Sequence, residues 1–116
     1  MSLEKIVLCV SSAYDRKFYI SEKFTGLPQA IKDELQIMCV MYTEEVGGEL
    51  TLAFDEEGEL LFHVSCDEED LLFDEIGSVL KIKDMQNKKK ELLESLEMYY
   101  KVFYLKQDAS AFLDEE

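Results

Sequence analysis

Three features of the sequence predict an α+β fold, an antiparallel sheet of about four strands covered by helices. Residues 49–66 alternate apolar and polar side chains on both sides of a glycine-containing turn, the period-two signature of a hairpin. Residues 27–46 carry apolar side chains at steps of three and four between a proline and a glycine pair, the signature of a helix. A second, longer helical pattern follows an acidic run and extends from Leu71 towards Leu105. The full order is β-β-α-β-β-α, and hairpins separated by helices suit a sheet with helices layered on one face.

The first strand is read at residues 5–11, KIVLCVS, a β-branched run that is apolar on both faces and suits an interior position. Ala13 to Arg16 turns the chain without a glycine. Lys17 to Ser21 then alternates, with Phe18 and Ile20 on one side and Tyr19 on the other. Pro28 fits the first turn of a helix, where its missing N–H costs nothing. Ile31, Leu35, Met38, Cys39, Tyr42 and Val46 form the helical face, and Ile37, Val40 and Met41 widen it. The second half of that helix is therefore expected to be buried on most sides. Gly47-Gly48 ends it, since glycine reaches the left-handed conformation of a C-cap.

In the central hairpin, Leu50, Leu52 and Phe54 share a face across from Leu60, Phe62, Val64 and Cys66, with the turn at Asp55 to Gly58. Any acid of Asp67–Asp70 can cap the next helix. Leu72, Ile76, Val79 and Leu80 pair as its first apolar face, and Ile82, Met85, Leu92, Leu96, Tyr99 and Phe103 continue it. Lys89 interrupts that series, and Gly77 or the Asp84–Asn87 segment is the expected kink, so the helix is long or broken in two. Residues 1–106 are read as one domain and 107–116 as an acidic tail.

Charge sets the function classes. The chain of 116 residues carries a formal net charge of −14. From Asp33 to Leu80 there are fifteen acidic residues and no Lys or Arg, while lysine-bearing segments flank that block. Direct binding to nucleic acid and to anionic membranes is disfavoured, because both need surplus cations. A clustered negative surface instead steers basic partners and cations towards itself. The apolar stretch Ile6–Val10 is too short for a signal-peptide core, so a cytoplasmic protein outside the membrane is expected. Cys9, Cys39 and Cys66 show no paired spacing, so reduced buried thiols are expected.

The sequence assigns no catalytic residue, no cofactor and no metal site. His63 is the only histidine, on the outward parity of its strand. The acids at Asp55–Glu59 and Asp67–Asp70 allow weak divalent-cation binding but match no EF-hand loop. Arg16 is the only arginine, and its planar fork marks Tyr14, Asp15, Arg16 and Tyr19 as the candidate ligand contact. Pairing of Arg16 with the acidic block is the structural alternative. Met98, Tyr99, Tyr100, Phe103 and Tyr104 form the candidate interface, since Met and aromatic residues are enriched at interface centres. The expected function is a non-enzymatic interaction module with a protein partner or a second copy. An acidic surface that binds a basic protein or mimics nucleic-acid charge is one alternative. A small-ligand protein or enzyme with a site near Arg16 is the other.

The strings LPQAIKDELQIMCV, TEEVGG, FDEIGSVLKIK and LESLEMYYKVF resemble a family of small acidic bacterial proteins of unknown function from Gram-positive anaerobes. The resemblance spans roughly residues 3–106 and leaves out the tail. It implies a bacterial cytoplasmic protein and supplies no activity, substrate or catalytic residue.

Overall fold

The computed structural model describes residues 5–104. The acidic tail read at 107–116 lies outside the described residues. Strands β1 (Ile6–Ser12), β2 (Lys17–Ile20), β3 (Glu49–Phe54) and β4 (Leu60–Ser65) form one antiparallel sheet in the order β2-β1-β3-β4. Helices α1 (Gln29–Val46), α2 (Glu75–Lys88) and α3 (Lys90–Phe103) complete an α+β fold. A short 3₁₀ turn at Glu22–Phe24, which the sequence reading lacked, leads into α1 and buries Phe24.

Register assigns the two sheet faces. Phe18, Ser11, Leu50 and Val64 form one cross-strand row, and Ile20, Cys9, Leu52 and Phe62 the next. These rows meet Leu35, Met38, Cys39 and Tyr42 of α1 in a continuous core. The intervening row, Tyr19, Val10, Thr51 and His63, lies on the opposite face. A bulge between Val7 and Cys9 lets β1 bury the extra residue, Leu8, as well as Cys9.

Helix boundaries follow local chemistry. Pro28 occupies the N-cap of α1, one residue ahead of the first-turn position expected from sequence. Gly47 ends α1 with φ 86, and Gly48 follows with φ 74. A Cβ on Gly48 would lie 2.6 Å from the Ser65 carbonyl oxygen and 2.9 Å from the Phe73 ring, so only glycine fits this crossing. The last helical region does not begin at Leu71. Asp74 is the N-cap of α2, and its carboxylate accepts from the Gly77 N–H at 2.9 Å.

The long helical pattern is two helices. The break falls at Lys89 (φ −110, ψ 28), rather than at Gly77 or Asp84–Asn87. It separates α2, which packs on α1, from α3, which reaches β4. Glu97 of α3 accepts the Leu60 N–H at 2.9 Å and so satisfies a backbone donor of that strand.

Two expectations about burial are corrected. Ile37 and Met41 are 59% and 48% exposed, so α1 is not buried on most sides. The sheet covers one side of α1 and α2 a second, which leaves an outer flank in solvent. Cys9 and Cys39 are buried as expected, but Cys66 is exposed just past the end of β4. A hydrogen bond involving Cys39, and then burial, push the Cys9 thiol well above its usual range.

Candidate docking surfaces

The β1–β2 turn explains how a loop without glycine closes. Arg16 takes the left-handed conformation, φ 55, that glycine would otherwise supply. The Ser12 hydroxyl accepts the Asp15 N–H at 3.2 Å and braces the turn. The four residues singled out here do not converge. Arg16 lines a groove of about 740 Å³ between β2 and α1. Tyr14 turns away towards the acidic loop, Tyr19 stands exposed on the opposite sheet face, and Asp15 is in solvent. Among the described residues Arg16 has no carboxylate within 4.0 Å, so the expected bridge to the acidic block does not form.

The groove has Lys17 and Phe18 on the β2 wall and Gln36, Val40 and Glu44 on the α1 wall. Ser11 and Thr43 lie at its base, joined by a buried 2.9 Å hydrogen bond.

Tyr14 anchors the acidic loop. Its hydroxyl donates to Asp70 at 2.6 Å and accepts the Asp67 N–H at 2.9 Å. The hydrogen bond to Asp70 is the main reason its phenol is held above the usual tyrosine range. Asp70 also caps the Leu72 N–H at 3.0 Å. The acids here serve turn geometry, as do those of the β3–β4 turn, where Asp55 accepts the N–H groups of Glu57 and Glu59 at 2.9 Å. Among the described residues no three His, Cys, Asp or Glu side chains gather as a metal ion would require.

Among the described residues only two acids of the central block are paired with lysines. Lys81 meets Glu45 at 2.8 Å and Lys89 meets Glu34 at 3.5 Å, both joining α1 to the later helices. The stretch Asp67–Glu75 has no ion pair among the described residues. Its acids stand beside an unexpected surface: Leu71 is 93% exposed, Leu72 92%, Ile76 76%, Leu80 61% and Val79 55%. The sequence grouped Leu72, Ile76, Val79 and Leu80 as one helical stripe; Leu72 lies in the loop before α2, and the helical members Ile76, Val79 and Leu80 point outward. The face of α2 that meets α1 carries Ser78 and Met85 instead. The Ser78 hydroxyl is hydrogen-bonded to the Tyr42 hydroxyl at 2.6 Å, a buried polar contact that fixes the rotation of α2.

The five residues named as an interface divide. Tyr100 is buried, stacking on Phe54 at 4.3 Å, and Tyr104 packs on Phe24 at 5.1 Å while donating to the Lys23 carbonyl. Tyr99 is half-buried, and Met98 and Phe103 are exposed.

Residues 5–108 match the model of DUF6145, a family of unknown function. The chain belongs to that family. No curated protein and no solved structure matches it. Among the described residues no helix is long and apolar enough to cross a membrane. The α2 surface is the feature that sequence reasoning missed. Its signal was present as aliphatic side chains at helical spacing within an acidic run, but periodicity does not say which way a face points.

Proposed function

We propose that the domain is a non-enzymatic protein-interaction module of the bacterial cytoplasm, whose docking surface is the outward face of α2 and the loop before it. The partner is a basic segment that also carries apolar side chains. The carrying observation is the set of five exposed aliphatic residues, Leu71, Leu72, Ile76, Val79 and Leu80, beside unpaired acids. Scattered exposed leucines are ordinary, but contiguous aliphatic patches with a polar rim mark interaction sites. Asp67, Glu68, Glu69, Asp70, Asp74 and Glu75 supply that rim, and their sign selects a cationic partner. This combines the expected interaction module with the expected acidic surface.

The test is a titration of the ¹⁵N-labelled protein with an amphipathic helical peptide of leucine and lysine. Shifts centred on residues 71–80, weakened by added salt, are expected. Shifts spread evenly over all acidic segments, or none, would reject the reading. Self-association is the second reading, favoured by Met98 and Phe103, which stay exposed at the end of α3. Sedimentation velocity decides it. A dimer that Phe103→Ser converts to monomer supports that reading, and a monomer at tens of micromolar removes it.

A further inference from the structure

We infer that the groove between β2 and α1 accepts an extended peptide segment of alternating apolar and acidic residues, which adds to the sheet as a fifth strand beside β2. The groove shares Leu72 with the surface around α2, but strand addition rests on β2 and stands whether or not that surface docks a partner.

The backbone supplies the first argument. Ser21 donates its N–H to the Leu8 carbonyl at 2.9 Å, and the register pairs Tyr19 with Val10 and Lys17 with Ser12. In an antiparallel pair, hydrogen-bonded and non-hydrogen-bonded residues alternate. Lys17, Tyr19 and Ser21 therefore face β1, while Phe18 and Ile20 turn their N–H and C=O groups to the open edge. Among the described residues neither makes any other backbone hydrogen bond. Such an edge is a template for strand addition.

The side chains supply the second argument. Natural edges are commonly blunted by proline, a bulge or a covering loop. Here the described edge has neither proline nor bulge, although Lys17 places one charge on it. An open groove of about 740 Å³ reaches Lys17 and Phe18, the hairpin end of this edge. An added strand would direct alternate side chains into the groove, towards Phe18 and Val40. The intervening side chains would fall on the other face, the side on which register places Lys17 and Tyr19. Lys17 has no carboxylate within 4.0 Å among the described residues, so it is available to an acidic side chain on that face. Opposite charges paired across strands stabilise a ladder. Glu44 on the α1 wall disfavours an acid pointing the other way, which fixes the alternation: apolar inward, acidic outward.

The experiment uses the full chain and an acetylated octapeptide alternating valine and glutamate, followed by amide shifts and hydrogen exchange. The expected result is saturable binding with shifts at Lys17–Ile20 and slowed exchange of the Phe18 and Ile20 amides. Ile20→Pro removes an outward N–H without touching the β1 ladder and should abolish this footprint. Lys17→Glu reverses the charge with little risk to the fold, since Lys17 is exposed. It should weaken binding at least threefold. Binding that survives Ile20→Pro, a footprint elsewhere, or no binding to the folded parent would overturn the proposal. So would Lys17→Glu binding the valine–glutamate peptide as tightly as the parent. Substitutions on α2, such as Ile76→Ser, should leave this footprint unchanged.

Discussion

Helices α2 and α3 have the same length, fourteen residues, yet they place their apolar side chains in opposite ways. Helix α3 sinks Leu92, Leu93, Leu96 and Tyr100 into the core, whereas α2 buries Ser78 and Met85 and displays Ile76, Val79 and Leu80. The difference lies in what each helix rests on. Helix α3 lies against β4 and closes the aromatic end of the core around Phe54 and Phe24. Helix α2 packs on α1 and α3, and polar contacts set its rotation: Tyr42 with Ser78, Glu45 with Lys81. An aliphatic stripe displayed this way does not contribute to the core, which is why we propose it as a surface for a partner.

The contrast makes the largest mutational prediction. Leu96→Ala on α3, which is 1% exposed in the parent, should lower unfolding stability by about 2–5 kcal/mol in a urea titration. Leu80→Ala on α2 should change it by no more than about 0.5 kcal/mol. Equal losses would mean that α2 carries core residues and would remove the contrast.

Next in size is the crossing that sets α2 apart from the sheet. Gly48→Ala should cost about 1–3 kcal/mol, because φ 74 and the Ser65 carbonyl leave no room for a Cβ. A smaller loss in the same titration would mean that the Phe73 loop moves aside easily.

Alkaline pH acts on the α3 end and on the α1–α2 contact. Burial raises the phenols of Tyr42, Tyr100 and Tyr104, with nearby negative groups adding to the effect at the last two. The native state then holds these protons when the unfolded chain has begun to lose them. Their contribution is complete below the unfolded tyrosine pKa of about 10 and is lost as pH rises through the higher folded values. Stability should therefore fall steeply above about pH 10. Tyr42→Phe should flatten part of that fall, and an unchanged slope would argue against a burial-shifted Tyr42.

The smallest effect concerns the loop that presents Leu71 and Leu72. Tyr14→Phe removes the hydroxyl that accepts from Asp67 and donates to Asp70. Faster hydrogen exchange at the Asp67 amide is expected with little change in the global unfolding midpoint. Unaltered exchange would show that Tyr14 does not hold the loop.

Much of the fold was legible because local chemistry is strong where it was read. The alternation of Leu50, Leu52 and Phe54 against Leu60, Phe62 and Val64 gave the hairpin and its inner face. Gly47-Gly48 gave the end of α1. The misses have a common cause. Periodicity groups Leu72, Ile76, Val79 and Leu80 but is silent on what they meet, and that is decided by the rotation of α2 on α1. Breaking the last helix at Lys89 likewise needs no glycine or proline, only the different supports of α2 and α3. The turn at Ala13 to Arg16 was legible, but not that Arg16 itself takes the left-handed conformation expected of glycine. The candidate ligand cluster was half legible. Its residues are neighbours in sequence, but Tyr14, Arg16 and Tyr19 serve three different surfaces.

The central claim is that the outward face of α2 exists for binding and not for folding. The direct measurement compares the parent with the double variant Ile76→Ser/Leu80→Ser, reading affinity for the leucine–lysine peptide and the thermal midpoint in the same samples. The account predicts at least tenfold weaker binding, about 1.4 kcal/mol, with the midpoint unchanged or slightly raised. Unchanged affinity, or a midpoint that falls as far as for a core substitution, would contradict it.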